Sequence, residues 1–137
     1  MGAATTAVAK CFPDRDYAQL PMAAEKIFDG MMVCGNASGY AAKAADTASF
    51  TFQGIADETV DNSGGSAGDL NITVYRGPFE VTSVETETAA SIGALRYVAT
   101  NCEVGAAGTQ TNDILVGRIQ KVISASRVVI DPMWRVA

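Results

Sequence analysis

One hairpin pattern occurs twice in this chain, and it restricts the fold more than any other feature. Residues 50–77 open with Phe50-Thr51-Phe52-Gln53-Gly54-Ile55-Ala56, pass through a turn-rich stretch and return as Asn71-Ile72-Thr73-Val74-Tyr75-Arg76-Gly77. Residues 114–130 open with Ile114-Leu115-Val116-Gly117-Arg118-Ile119, turn at Ser124-Ala125-Ser126 and return as Arg127-Val128-Val129-Ile130. Each block is a strand with an internal glycine (Gly54, Gly117), a turn and a β-branched returning strand. Glycine inside a strand, Gly117 above all, reads as a barrel kink or bulge. Two such hairpins, many short strands and no long helical periodicity predict an all-β fold, a small β-barrel or sandwich.

The remaining chain divides into an N-terminal arm over 1–25 and a single β-barrel-like domain over 26–137, with glycine-rich loops. The arm contains Pro13 and Pro21, which deny ladder donors. It carries Phe12, Tyr17 and Leu20 as apolar anchors, and it is expected to lie extended on its own barrel or on a neighbour. Lys26 to Val33 reads as a strand interrupted at Gly30, and residues 40–45 as a short strand. Leu70, Ile72 and Val74 alternate with polar residues as one buried strand face. Residues 61–69 (Asp61-Asn62-Ser63-Gly64-Gly65-Ser66-Ala67-Gly68-Asp69) have the composition of a flexible loop. Thr88 to Gly93 suits one helical turn, Ile114 to Ile123 is the strongest strand, and Pro132 ends the second hairpin.

Charge and composition narrow the function. The chain has 137 residues, enough for one domain, and a net charge of −5. Eight acids and one base (Arg76) lie between Asp46 and Glu87, whereas Arg118, Lys121, Arg127 and Arg135 face only Asp131 in the last twenty residues. An acidic chain lacks the concentrated basic face that nucleic-acid binding needs. Opposed acidic and basic regions suit docking with copies of the same chain or with a charged lattice, or are two solvated faces. No run reaches the ~18 apolar residues of a membrane helix, and no secretory signal pattern opens the chain. Synthesis in the cytoplasm without membrane association is therefore expected. Cys11, Cys34 and Cys102 have no Cys-x-x-Cys spacing, which suits free thiols, with Cys34 buried beside Met31 and Met32.

Catalytic chemistry is poorly served. The chain has no histidine, so neither a Ser-His-Asp nor a Cys-His arrangement can form, and no zinc spacing exists. The glycine-rich run at 64–68 lacks the Gly-Lys-Ser/Thr ending of a phosphate-binding loop. Its acids lack the calcium-loop spacing. The expectation is a non-enzymatic protein with no cofactor.

The stretch from Phe52 to Gly77 and the ending from Val116 to Ile130 resemble small structural proteins of tailed bacteriophages, the capsid decoration or cement proteins. The resemblance covers about residues 26–131 and rests on the glycine-and-strand pattern. It implies a virion protein on the outer capsid surface, made in the bacterial cytoplasm. It would bind the phage major capsid protein and stabilise the mature lattice by bridging subunits. A homo-oligomer is implied, with a trimer favoured because it suits local threefold positions. Candidate capsid or inter-subunit contacts are Phe12, Tyr17, Leu20 and Trp134, with core packing as the alternative role. The competing functional readings are another phage component, such as a head fibre base or tail protein, and a displayed carbohydrate- or host-binding β module.

Overall fold

The computed structural model describes residues 17–135, and the fold is all-β. The strands are β1 (Tyr17–Pro21), β2 (Lys26–Ile27), β3 (Met32–Gly35), β4 (Ala41–Lys43), β5 (Thr51–Ala56), β6 (Val60–Asp61), β7 (Asn71–Tyr75), β8 (Phe79–Ser83), β9 (Leu95–Val98), β10 (Glu103–Gly105), β11 (Leu115–Ser124) and β12 (Arg127–Pro132). Short 3-10 turns occupy Ala89–Ser91 and Met133–Arg135.

The strands form two lobes. In the first, the order is β1-β7-β5-β3-β4, all neighbours antiparallel, and a parallel bridge Met22↔Ala41 joins its two ends. In the second, β10-β8-β12-β11-β9 close into a barrel in which only the β10–β8 pair is parallel. Taken in chain order within each lobe, the strands follow one plan. The first pairs with the fifth, the fifth with the fourth, the fourth with the second, the second with the third, and the third returns parallel to the first. The two predicted hairpins are the fourth and fifth strands of the two lobes.

The equivalence holds at the level of single residues. Met32↔Ile55, Val33↔Gly54 and Cys34↔Phe52 in the first lobe match Leu95↔Arg118, Arg96↔Gly117 and Tyr97↔Leu115 in the second, a constant shift of 63 positions. Gln53 and Val116 are skipped at the same point of the register, so both fourth strands carry a bulge one residue before the glycine. Gly30 N donates to Ala56 O at 2.9 Å, and Gly93 N donates to Ile119 O at 2.8 Å. Both of these glycines have φ near +90°, a conformation that costs other residues about 1–2 kcal/mol. Ala23 N donates to Ala41 O as Val84 N donates to Val104 O, each at 2.9 Å. Even the carboxylate that accepts from the end of the third strand recurs: Glu25 accepts from Lys43 N and Glu85 from Ala106 N.

Each lobe has its own core, because inward residues recur at every second position of its strands. Met22, Ile27, Val33, Ala41, Ala56, Ile72 and Val74 fill the first lobe. Val81, Val98, Val104, Val116, Ile119, Val128 and Ile130 belong to the second cluster, which extends through Met32, Cys34, Ala44, Phe52, Phe79 and Ile114. The buried Cys34 thiol is pushed up to about 12 by desolvation, and Cys34 and Cys102 are both free.

Three expectations need amendment. The boundary between arm and domain does not fall at residue 25: Tyr17–Pro21 is hydrogen-bonded to β7 throughout, and Met22 is fully buried. Residues 61–69 are not a loose loop, because the buried Asn62 amide donates to Ala23 O at 3.2 Å and to Ser66 O at 3.0 Å. Ile72 and Val74 are buried as the alternation requires, but Leu70 precedes the strand and is 43% exposed.

A side chain at either strand glycine must displace backbone. A Cβ on Gly54 would meet Tyr75 O at 2.6 Å, and one on Gly117 would meet the equivalent carbonyl, Asp131 O, closer still. Gly117→Ala is expected to lower stability by about 1–3 kcal/mol, and Gly117→Val by more, in denaturant unfolding. An unchanged midpoint would remove the close approach as a constraint. Truncation through Pro21 is expected to lower the melting temperature, because it strips a paired strand from β7.

Candidate binding cleft and the joint between the lobes

The lobes meet through a stack around Trp134. Its indole lies parallel to the Phe52 ring (centroids 5.4 Å, planes 5° apart), and Phe52 in turn packs on Phe79 at 5.7 Å. Trp134 Nε1 donates to Arg76 O at 2.8 Å, and the Arg76 guanidinium lies over the indole at 4.2 Å. Phe52 comes from the fourth strand of the first lobe, Arg76 from the link between lobes, and Trp134 from the 3-10 turn after the last strand. The joint thus ties the chain's end to its middle.

Beside this joint is a surface cleft of about 390 Å³. One wall is Ala48 to Phe52, the other Asn112 to Leu115, with Met133 at the joint. These walls are equivalent segments of the two repeats, each leading into a fourth strand. Ser49 (φ 69°) and Asp113 (φ 47°), one on each wall, are the only non-glycine residues at positive φ among the described residues. Such positions cost of order 1–3 kcal/mol and persist only where surroundings dictate them. Here the surroundings include the Asp46 carboxylate, which accepts from Thr111 N at 2.6 Å and Asn112 N at 2.8 Å and so pins one wall to the other. Those bonds hold the Asp46 carboxyl below its usual range. The cleft is lined by apolar Phe50, Phe52, Ile114 and Leu115 together with polar Ser49, Thr51, Asn112 and Asp113, which suits non-covalent contact.

The sequence-predicted contact residues are dispersed. Trp134 is half-buried in the joint, and Leu20 is half-buried against the first core. Tyr17 is 41% exposed at the sheet margin, edge-on to Tyr75 with centroids 5.5 Å apart. Phe12 lies outside the described residues. Among the described residues no group of three or more Cys, Asp or Glu side chains is placed to hold a metal ion. Sequence reading missed Arg76 as a partner of Trp134, Ser49 and Asp113 at the cleft, and the burial of Glu87. Only Arg76-Gly77-Pro78, a cation entering a bend, carried any local signal.

Glu87 belongs to a buried ion pair rather than to a solvated acidic face. Arg96 Nε and Nη2 donate to its two carboxylate oxygens at 2.8 and 2.6 Å, and Ser83 Oγ donates at 2.7 Å. Ser83 and Arg96 stand where the first lobe has Met22 and Val33, so one end of the second barrel is plugged by charge instead of hydrocarbon. Hydrogen bonding from Arg96, with help from Ser83, holds the Glu87 carboxyl down at about 2.

Two predictions test these contacts. The folded state binds fewer protons at Glu87 than the unfolded chain does. Its contribution to stability is therefore complete above the ordinary glutamate range and is lost as pH falls toward 2. Glu87→Gln is expected to cost about 3–5 kcal/mol near neutrality and to flatten the acid limb of the stability–pH curve. An unaltered acid limb would contradict the pairing. Trp134 is the sole tryptophan, so its emission reports the joint. Arg76→Ala should red-shift that emission and cost about 0.5–2 kcal/mol; an unchanged spectrum would mean that the stack is not kept in solution.

No family model, curated protein or solved structure matches the chain.

Proposed function

We propose that this chain is a structural virion protein of a tailed bacteriophage. It binds the outer surface of the head and stabilises the mature lattice by bridging major capsid protein subunits. The observation that carries the reading is the doubled body. Two lobes of one plan, joined through the Phe52–Trp134 stack, give one chain two bodies with which to reach neighbouring subunits. A repeating lattice presents like sites at fixed spacing, and a body that engages two of them gains from effective concentration without new contacts. Binding only the mature arrangement stabilises that arrangement by mass action.

The sequence resemblance to decoration proteins adds support, since the stretches that carry it are the fourth and fifth strands of the two lobes. On this reading the protein resides on the outer capsid surface, acts without enzymatic chemistry or a cofactor, and works as a homo-oligomer, with a trimer favoured.

One observation favours a second reading. The cleft sets Phe50 beside Asn112 and Asp113, an aromatic side chain next to polar groups, which suits a displayed carbohydrate-binding module.

The test is sedimentation of purified protein with undecorated mature heads, using immature shells as control. Saturable co-sedimentation with mature heads alone is expected. Binding to neither particle, together with saturable binding on a glycan array abolished by Phe50→Ala, would replace the lattice role with the carbohydrate one.

A further inference from the structure

The two lobes share a plan but differ at one end, and the difference exposes a strand edge. In the first lobe the backbone stays bonded to β7 through Asp57, whose N donates to Thr73 O at 2.9 Å, and Val60–Asp61 then pairs with Lys26–Ile27. In the second lobe the equivalent residues continue β11, with register shifts at Gln120 and Ile123, and Lys121, Val122 and Ser124 stay paired with β12. The segment equivalent to β2 forms the 3-10 turn Ala89–Ser91 instead. Among the described residues, β11 from Lys121 onward therefore has no second neighbouring strand.

The side chains at this end differ in the same sense. Val84, Ile92 and Ile123 are 49%, 55% and 48% exposed, and among the described residues they are the large apolar side chains that the second lobe leaves exposed. All three lie in the segments that close this end of the barrel: Val84 after β8, Ile92 before β9, and Ile123 near the tip of β11. The first lobe has Ala23 and Asp29 at the positions equivalent to Val84 and Ile92, and a half-buried Val60 for Ile123. At two of these three positions an apolar group replaces a small or charged one, while the first lobe exposes Phe28 (47%) at its own corresponding end. Exposed apolar groups beside an uncovered strand suit a surface that takes a partner.

From these observations we infer that the end of the second lobe around Lys121–Ser124 is a self-association surface, and that its occupant is the first-lobe end of a second copy of this chain. Charge selects that occupant. Exposed Lys121 lies on the edge, with exposed Arg118, whose Nη1 donates to Gly93 O, three residues before it. The corresponding end of the first lobe carries exposed Asp57, Glu58 and Asp61 against one exposed base, Lys26, opposite Asp61. A contact between unlike ends of identical chains is heterologous. It closes into a ring when the rotation allows and otherwise propagates. The inference concerns the purified protein alone and stands whether or not the particle-binding role does.

Sedimentation velocity across a wide concentration range, at low and high salt, tests it. The wild-type chain is expected to self-associate, and more weakly at high salt. Ile123→Asp should weaken association about tenfold or more. Lys121→Glu, which leaves the apolar residues intact and guards against a misfolded Ile123 variant, should also weaken it. Adding Asp57→Lys to Lys121→Glu should restore association. A wild-type chain that stays monomeric throughout would overturn the inference. So would an oligomer unmoved by Lys121→Glu, or one that the second charge reversal fails to restore. Failure to bind heads by a chain that passes these tests would count against the lattice role alone.

Discussion

The close approach of the fourth and fifth strands in each lobe is the constraint on which the architecture depends. At Gly54 and Gly117 the backbone of one strand lies so near a carbonyl of the other that no Cβ fits. The bulge one residue earlier turns the fourth strand there, and this lets it serve both the second and the fifth strand within a tightly curved sheet. Curvature then brings the third strand alongside the first. In the second lobe that meeting is a parallel β10–β8 pair, and in the first it is a single bridge at Met22 and Ala41. A barrel closed in this way has few open edges, so the places where an edge does persist carry information.

Within that shared frame the two lobes are filled by different physics. The first is plugged by Met22, Ile27 and Val33, whose burial is favourable without geometric conditions. The second has Ser83, Arg96 and Glu87 at the same end. A buried pair of this kind must recover its desolvation cost through close hydrogen bonds, and the bidentate Arg96–Glu87 contact with the Ser83 donor supplies them. The charged plug comes with a different chain path: the β2 equivalent becomes a turn, and among the described residues the end of β11 is paired with β12 alone. The same frame thus yields one finished end and one end suited to association.

Part of this was legible in the residues. The hairpins of 50–77 and 114–130, the interruption at Gly30, the helical turn near Thr88, the buried Cys34 and the strand from Ile114 to Ile123 all appear where local pattern puts them, because period-two alternation and turn chemistry act over a few residues. Other features were not legible. Tyr17–Pro21 reads as an arm because Pro21 denies a donor, yet pairing with β7 along one edge alone leaves that donor unneeded. Residues 61–69 read as flexible because composition does not reveal that the Asn62 amide meets Ala23 and Ser66 carbonyls. Glu87 reads as one acid in an acidic stretch because Arg96, nine residues on, reaches it only once β9 is built into the barrel between β10 and β11. Trp134 and Leu20 turn half inward for the same reason, since their partners are distant in the chain.

By itself the sequence determined the class of fold and its doubled unit, since alternation, β-branched strands and two obligatory glycines are local demands that any tertiary arrangement must meet. It could not determine that the two units are complete lobes of one plan, because beyond Gly30/Gly93 and Gly54/Gly117 the equivalent positions share little but burial. Only the tertiary structure decided which acid is buried, which aromatic residues form the joint and which strand edge stays open. Each of these depends on contacts between segments far apart in the chain, and the sequence records their partners without recording their proximity.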